Sequence, residues 1–293
     1  MIKKNFSNLS SLCFGCEPLG GSDWGKVNLN DIEAAIERSL ELGVNFFDTA
    51  DVYGLGLSEK RLSKILKERR FNLFIATKGG VSWVKKRNER ASTSLDLTPD
   101  YITKAVHSSL RRLRLDVLPL YYIHWPDVNE DMSRTFECLS KLQRQGKINH
   151  IGCSNFNKEQ LNVATERASI DFVQVPVNIL KGYPENSVIN ICNKFKIKIV
   201  AYNVLAAGML TGKFTLNTKF PSSDRRSRLF SYEGIEFKKQ LSKIEKLKKI
   251  AQSEKLTLSQ YAIRLVLDHK DIDYVITGIK TSKQAEENIS AII

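Results

Sequence analysis

Short apolar runs, rich in branched and aromatic residues, alternate along this chain with segments whose apolar positions recur at helical spacing. The apolar runs predict eight strands, at residues 11–16, 45–50, 73–78, 118–124, 150–155, 172–178, 197–203 and 274–278. The amphipathic segments predict helices at residues 30–42, 58–69, 98–113, 133–145, 158–168, 187–195, 237–253, 258–268 and 282–293.

Local stop and start signals support these boundaries. Gly43 follows the first helical segment, where a C-terminal glycine is expected. Ser58 is a candidate N-cap for the second helix. Thr98 followed by Pro99 is a typical helix start. Pro176 fits best near the end of the sixth strand, because a proline cannot donate a ladder hydrogen bond. Residues 79–97 and 204–236 are predicted to be long loops.

Strands that alternate with helices favour parallel pairing through crossover helices. Eight such units in 293 residues fit a single-domain closed (β/α)8 barrel, the TIM-barrel architecture, better than an open sheet. A doubly wound sheet that binds a dinucleotide is expected to have a glycine-rich, phosphate-binding turn after its first strand. The chain has only Gly54-Leu55-Gly56, after the second predicted strand.

The formal net charge of +13 would suit a nucleic-acid-binding protein. The densest lysine run, in residues 237–253, also carries Leu241, Ile244, Leu247 and Ile250 at helical spacing. These four side chains are predicted to face the core, which leaves the lysines on a solvated face. We therefore expect neither a nucleic-acid partner nor a membrane surface.

Cysteine and histidine usage argues for a reducing compartment and against a metal site. There are five cysteines, an odd number, and an odd set in a long chain is not a disulfide framework. Cys13 and Cys16 form a C-x-x-C, but inside a predicted strand, so a packing role is favoured. The four histidines show no metal-ligand spacing. No apolar run is long enough for a membrane span or a signal peptide, which predicts a cytoplasmic protein.

Polar residues collect where the predicted strands end, which is where barrel enzymes place their chemistry. Asp48 ends the second strand, Tyr53 follows one short turn later, Lys78 ends the third strand and His124 the fourth. A nearby ammonium is expected to lower the pKa of a phenol, and a carboxylate keeps that ammonium charged. These four residues are the candidate catalytic group.

The motifs that carry these residues resemble those of the aldo-keto reductase superfamily. They are LCFGCEPLGG, FFDTADVYG, IATKGG, YYIHWPD, IGCSNF, LAAGMLTGKF and TGIKTSKQAEEN. The resemblance implies that NADPH delivers hydride to an aldehyde or ketone, with a sugar or a nucleotide-linked keto sugar as a candidate substrate. It also implies that Tyr53 is the general acid, assisted by Lys78 and Asp48, while His124 positions the carbonyl.

The same resemblance implies a cofactor site built from the later strand ends. Its expected members are Ser154, Asn155, Gln174, Tyr202, Asn203, Leu205, Gly208, Leu210, Gly212, Gly278, Lys280, Thr281, Gln284, Glu287 and Asn288. Tyr202 is expected to stack on the nicotinamide. Many family members have an arginine near Gln284 for the 2′-phosphate, and here Lys280 would serve, so NADP is favoured over NAD.

The expected substrate pocket includes Glu17, Trp83 and Trp125. Glu17 stands where an aromatic or small residue is common in the family. The two long loops carry basic clusters, Lys85-Lys86-Arg87 with Arg90, and Arg225-Arg226-Ser227-Arg228. These clusters are either ordinary solvated charge or a positive rim that attracts an anionic substrate.

The chain stops at Ile293, in or just after the last predicted helix, whereas many family members continue into a loop that covers the substrate. This predicts an open pocket, or one completed by a neighbouring subunit, in a monomer or homo-oligomer. Two alternative functions stay open on the sequence, with a nucleic-acid-binding protein as the last option. One is an NADP-binding module that reports redox state with little turnover, and the other is a Schiff-base aldolase with Lys78 as nucleophile.

Overall fold

The computed structural model describes residues 6–84, 91–129, 131–229 and 232–292. Its strands are β1 (Leu12–Gly15), β2 (Phe46–Asp48), β3 (Phe74–Gly79), β4 (Val81–Val84), β5 (Ser92–Leu95), β6 (Leu118–Ile123), β7 (Ile148–Ser154), β8 (Ile170–Pro176), β9 (Lys198–Tyr202) and β10 (Tyr274–Gly278). All except β4 and β5 form one closed parallel barrel, in the order β1, β2, β3, β6, β7, β8, β9, β10. The predicted (β/α)8 barrel is confirmed.

The helices lie between the barrel strands, as parallel crossovers require. They are α1 (Leu29–Glu41), α2 (Leu57–Leu66), α3 (Pro99–Leu113), α4 (Met132–Arg144), α5 (Lys158–Arg167), α6 (Asn186–Phe195), α7 (Gly234–Ser253), α8 (Leu258–Leu267) and α9 (Ser282–Ile289). The described helices include none with the length and apolarity that crossing a membrane requires.

The hydrophobic core has two layers, because each parallel strand is buried on both faces. The barrel interior is filled largely by aromatic rings, including Phe46, Phe172 and Tyr122. Branched aliphatic side chains fill the layer between strands and helices. Cys13 lies in the interior layer and Cys16 in the outer one, and both thiols are buried and free. The packing role predicted for this C-x-x-C agrees with that placement.

Residues 79–97 were predicted to be a loop, and this prediction is wrong. The segment contains an antiparallel hairpin of β4 and β5, in which the hydroxyls of Ser82 and Ser94 lie 2.8 Å apart. All four residues of β5 are exposed, so the strand has no apolar face from which its period could be read. The basic cluster at residues 85–90 lies outside the described residues.

Two local predictions also fail. Ser58 does not cap α2. Gly56 occupies the cap position with a left-handed φ of 86°, and the buried Ser58 hydroxyl donates to the carbonyl oxygen of Cys16 at 2.8 Å. In α7, Ile244 is buried but Ile250 is 44% exposed, because the last turn of the helix turns Ala251, which is fully buried, toward the core instead. By contrast, Thr98 does cap α3, with Pro99 in its first turn.

Candidate active site

The carboxyl ends of β2, β3 and β6 bring the four candidate catalytic residues to one mouth of the barrel. Asp48 is the last residue of β2, Lys78 lies near the end of β3, and His124 directly follows β6. Tyr53 sits in the turn between β2 and α2. The amide of Asp51 donates to the carbonyl oxygen of Lys78 at 3.1 Å, which fastens this turn to β3.

Lys78 and Asp48 form a buried ion pair at the floor of this mouth. The Lys78 side chain is 1% exposed, and its ammonium lies 2.5 Å from Asp48 Oδ1. The ammonium also donates to the carbonyl oxygen of Thr49 at 2.9 Å. Gln174 donates to the other carboxylate oxygen of Asp48 at 2.6 Å. Burial raises the pKa of Asp48, while Lys78 and Gln174 oppose that rise. The pair is satisfied on both sides, as a buried pair must be to persist.

Tyr53 and His124 lie above this pair. The Lys78 ammonium is 5.2 Å from the centroid of the Tyr53 ring. The rings of Tyr53 and His124 meet edge to face, with centroids 5.8 Å apart. Burial, assisted by the charges of Lys78 and Arg225, holds the pKa of His124 well below its usual value. The imidazole is therefore neutral at physiological pH and can present one N–H and one lone pair.

The pKa of the Tyr53 phenol shifts in the direction opposite to the sequence-based expectation. Burial raises it well above its usual value, and the carboxylates of Glu17 and Asp48 raise it further, while Arg225 lowers it. The Lys78 ammonium, which is paired with Asp48, does not outweigh these effects. The phenol consequently holds its proton across the physiological range.

Ser154, Asn155, Gln174 and Tyr202, four of the expected nicotinamide contacts, come together at the ends of β7, β8 and β9. Ser154 and Gln174 are directly paired neighbours on adjacent strands and are both 2% exposed. The Tyr202 hydroxyl donates to Asn155 Oδ1 at 2.6 Å, and Asn155 Nδ2 donates to Ser154 Oγ at 3.0 Å. Through Gln174, this network touches the Asp48–Lys78 pair. Buried hydroxyl and amide groups of this kind suit a carboxamide.

The segment after β9 has an unusual backbone conformation, and its amides are bonded within the segment. The amide of Ala206 donates to the carbonyl oxygen of Asn203 and that of Gly208 to the carbonyl oxygen of Leu205, each at 2.8 Å. Ala206, Ala207 and Gly208 all have positive φ, at 47°, 52° and 96°. Asn203 Oδ1 accepts from the amide of Ala207 at 2.8 Å, which stabilises the turn. Leu205 and Gly212 flank this turn, whereas the Leu210 side chain is fully buried in a small apolar cluster. Leu210 can therefore offer only backbone groups.

The expected adenosine-end residues lie just before α9 and along it. Thr281 caps this helix by accepting from the amide of Gln284 at 3.3 Å, and the Gln284 side chain accepts from the amide of Lys280 at 2.9 Å. Lys280 donates to the carbonyl oxygen of Trp24 at 3.0 Å. Burial and the charge of Arg226 lower the pKa of Lys280. Gly278 is exposed before the helix, Glu287 is partly buried in it, and Asn288 is 3% exposed.

The three expected pocket residues differ in their placement. Trp125 is 45% exposed and its ring stacks beside that of His124, with centroids 6.4 Å apart. Trp83 is partly buried in β4, where it pairs with Thr93 of the hairpin. Glu17, just beyond β1, accepts a hydrogen bond from Arg225 Nη1 at 2.8 Å. Arg225 thus reaches a predicted pocket residue, whereas the sequence left its cluster as either solvated charge or a positive rim.

Sequence reasoning missed the tryptophan to which this loop is attached. We call residues 221–229 the strap. Trp24 forms an isolated bridge with Asp224 of the strap. Its ring has three cations around it, at 5.6 Å for Arg225, 5.5 Å for Arg226 and 5.7 Å for Lys280. The sequence signal for this contact is the pair Asp23-Trp24, which lies between Gly21 and Gly25 after β1.

A buried polar network behind the Tyr53 turn was also missed. Glu59 pairs with Arg112 and accepts from Thr77 Oγ1 at 2.7 Å. Asp51 is 1% exposed, and burial followed by the charge of Glu59 raises its pKa well above the usual value. Glu59 lies eight residues after Asp51, on the first turn of α2. The spacing D-x7-E is therefore the sequence pattern that could have indicated this buried network.

A closed (β/α)8 barrel with its polar side chains gathered at the carboxyl ends of the strands is the architecture of a barrel enzyme. The model of the Aldo/keto reductase family matches residues 11–293. The chain therefore belongs to the aldo/keto reductase family, whose members are oxidoreductases.

Individual relatives agree with this assignment over nearly the full chain. The aldo-keto reductase yakc [NADP(+)] of Schizosaccharomyces pombe is 32% identical over 285 residues, which is 96% of this chain and 82% of that protein. The NADH-specific methylglyoxal reductase of Escherichia coli is 27% identical, over 97% and 90% of the two chains. The solved structure of the glycerol dehydrogenase AKR11B4 from Gluconobacter oxydans has a TM-score of 0.87 and 32% identity, and covers 96% of this chain and 86% of that one.

Proposed function

We propose that this protein reduces an aldehyde or ketone to an alcohol with NADPH, and that Tyr53 is the proton donor. The observation that carries the proposal is the buried Asp48–Lys78 pair beneath a protonated tyrosine and a neutral histidine. When bound, the nicotinamide supplies the hydride. The protein supplies the proton, the orientation of the carbonyl and the electrostatics.

Each residue of the group has a separate task. The raised pKa keeps the proton on Tyr53 until the carbonyl oxygen gains charge. The Lys78 ammonium then stabilises the phenolate that remains, and Asp48 holds this ammonium charged and aimed. The neutral His124 imidazole donates an N–H to the carbonyl oxygen and fixes its position. General acid catalysis of this type typically contributes about 10²–10⁴ in rate.

Several groups support a dinucleotide beside this mouth. Ser154, Asn155 and Gln174 would hold the carboxamide, and the segment at residues 205–212 would line the pyrophosphate. Lys280 would hold the 2′-phosphate, which is why we propose NADPH rather than NADH. One relative is named for NADP(+) and another as NADH-specific. The choice between the two cofactors therefore has to be tested by experiment.

The cellular setting and substrate are part of the proposal. All five cysteines are free thiols, which suits the reducing cytoplasm. Arg225, Arg226 and Arg228 give the strap a positive charge that would attract an anionic carbonyl compound, such as a nucleotide-linked keto sugar. A Schiff-base role for Lys78 is disfavoured, because its ammonium already donates to two acceptors.

The test is a comparison of wild type with Tyr53→Phe. Wild type should reduce 4-nitrobenzaldehyde with NADPH, and a screen of aldehydes, ketoses and nucleotide-linked keto sugars would then rank substrates. The variant should lose reduction while its NADPH affinity, measured by fluorescence titration, stays within about twofold, since the lost hydroxyl is a catalytic group. Retained turnover in the variant would remove the phenol from this role. Tight NADPH binding by a wild type without turnover would identify a redox-reporting module.

A further inference from the structure

The pair formed by Glu17 and Arg225 spans the mouth of the barrel. Glu17 directly follows β1 and Cys16, whereas Arg225 opens the short helix Arg225–Arg228 in the strap. Their side chains are joined at 2.8 Å. The amide of Arg225 also donates to the carbonyl oxygen of Asp23 at 2.9 Å, so the backbone that carries this arginine is held to the segment after β1.

This pair shares the cleft of the catalytic group. The Arg225 charge lowers the pKa of Tyr53, of His124 and of Tyr202, while Glu17 raises the pKa of both tyrosines. The geometry agrees: Cys16, the chain neighbour of Glu17, donates its amide to the carbonyl oxygen of the catalytic candidate Asp48 at 2.8 Å, so the Glu17–Arg225 pair begins beside the catalytic group. A carbonyl placed between Tyr53 and His124 therefore has a guanidinium nearby.

Arg225 differs from the other arginines of the strap in how it is held. Arg226 is 12% exposed at its side chain and is fixed by bonds from Nε and Nη2 to the buried Asp224. Arg228 is 41% exposed at its side chain, much as Arg225 is, but its partners are Asp23 at 3.0 Å and the carbonyl oxygen of Ser222 at 3.0 Å rather than Glu17. Arg225 keeps 44% of its side chain exposed, and its partner Glu17 keeps 28%. A carboxylate of a bound ligand can therefore reach Arg225 and replace that of Glu17.

We infer that Arg225 anchors an anionic group of the carbonyl substrate, and that Glu17 occupies this anchor until a substrate carboxylate or phosphate replaces it. The inference rests on the proposed carbonyl reduction and narrows its substrate class. Guanidinium binds carboxylate and phosphate through paired donors, so either anion fits. Displaced from Arg225, Glu17 turns to solvent, where part of its side chain already lies.

Two aldehydes of nearly equal shape give the experiment. 4-Carboxybenzaldehyde carries a carboxylate where 4-nitrobenzaldehyde carries a neutral nitro group. The quantity measured is the ratio of their kcat/KM values. Arg225→Gln should lower this ratio about tenfold, the effect of one lost charge-assisted hydrogen bond. Glu17→Gln should raise the ratio, because the competing carboxylate is removed.

Arg228→Gln is the matched comparison, since it removes the same charge from the same strap but from an arginine paired with Asp23. Its ratio should change much less than that of Arg225→Gln. An equal fall in both variants would show that only the general positive field matters and would overturn the anchor. A loss of NADPH affinity in Arg225→Gln with an unchanged ratio would assign the arginine to the cofactor and overturn it as well.

A binding measurement separates this inference from the proposed function. Calorimetry with 4-carboxybenzyl alcohol and 4-nitrobenzyl alcohol requires no turnover. If wild type binds the carboxylate alcohol more tightly than the nitro alcohol, and Arg225→Gln loses this preference, the anchor is supported. This holds even if neither aldehyde is reduced, and in that case only the reductase proposal fails. Equal binding of both alcohols to wild type would overturn the anchor while leaving carbonyl reduction intact.

Discussion

The backbones of Gly20 and Gly54 touch, and a Cβ atom on Gly54 would lie 2.2 Å from the carbonyl oxygen of Gly20. A Cβ atom on Gly20 would lie 2.8 Å from the amide nitrogen of Gly54. Gly54 also has a φ of 60°, which glycine adopts without penalty. The segment after β1, which carries Glu17, and the turn that carries Tyr53 are therefore packed backbone against backbone. The position of the phenol depends on this contact.

Gly54→Ala should accordingly destabilise the protein and displace Tyr53. The left-handed φ alone costs about 1–2 kcal/mol for a residue with a Cβ, and the clash with Gly20 adds to it. Gly146→Ala is the control, since Gly146 has a φ of 69° but nothing within 4 Å of its Cβ position. Urea unfolding should show a larger loss for Gly54→Ala, and only this variant should lose reductase activity. Equal losses of stability would mean that the Gly20 contact carries no energy.

Lys78→Met should leave the Asp48 carboxylate buried without its cation. Removal of one member of a buried pair typically costs about 3–5 kcal/mol of unfolding free energy. The double variant Asp48→Asn with Lys78→Met should be more stable than Lys78→Met, because no uncompensated charge remains. The free energies of unfolding of wild type, the two single variants and the double variant, measured with urea, give the coupling energy of the pair. A double variant destabilised by the sum of the single effects would show that the two side chains are not coupled.

The sequence identified the barrel and the four catalytic candidates because both follow from local rules. The apolar runs end at polar residues, and parallel strands bring those ends together. The prediction for Pro176 follows from a local rule as well: it is the last residue of β8, where its missing N–H is tolerated. The failures have non-local causes. The exposed β5 has no buried face to set a period, and Trp24 meets Arg226 only because the strap folds back across 202 residues of chain.

The sign of the Tyr53 pKa shift shows a different limit. Residue types predicted an ammonium beside a phenol, and the structure has both in place. Whether the phenol pKa falls or rises depends on burial and on the carboxylates of Glu17 and Asp48, and these are facts of three-dimensional placement. Which residues gather at a site can thus be predicted from sequence more reliably than their electrostatics.

His124 should make the protein acid-sensitive. Its folded-state pKa is depressed by burial, so the unfolded chain binds more protons once the pH falls below about 6.5. Its contribution to stability is therefore complete above that pH and is lost as the pH falls toward the depressed value. The slope contributed by one such group is at most about 1.4 kcal/mol per pH unit. Urea unfolding at several pH values should show that the stability difference between wild type and His124→Gln shrinks on acidification. A constant difference would contradict a neutral, buried imidazole.

The Tyr53 phenol should titrate above its ordinary pKa of about 10 in the cofactor-free protein. Its phenolate absorbance is isolated by subtracting the alkaline titration of Tyr53→Phe from that of wild type. Glu17→Gln should move the midpoint down, because the Glu17 carboxylate is the second-largest cause of the rise, but not below about 10, because burial is the largest cause and persists. Glu37→Gln, which removes an exposed carboxylate paired with Arg69 on the outside of the barrel, should leave the midpoint unchanged. A wild-type midpoint below about 10 would mean that the Lys78 ammonium outweighs burial, and would restore the acidic phenol that the sequence alone suggested.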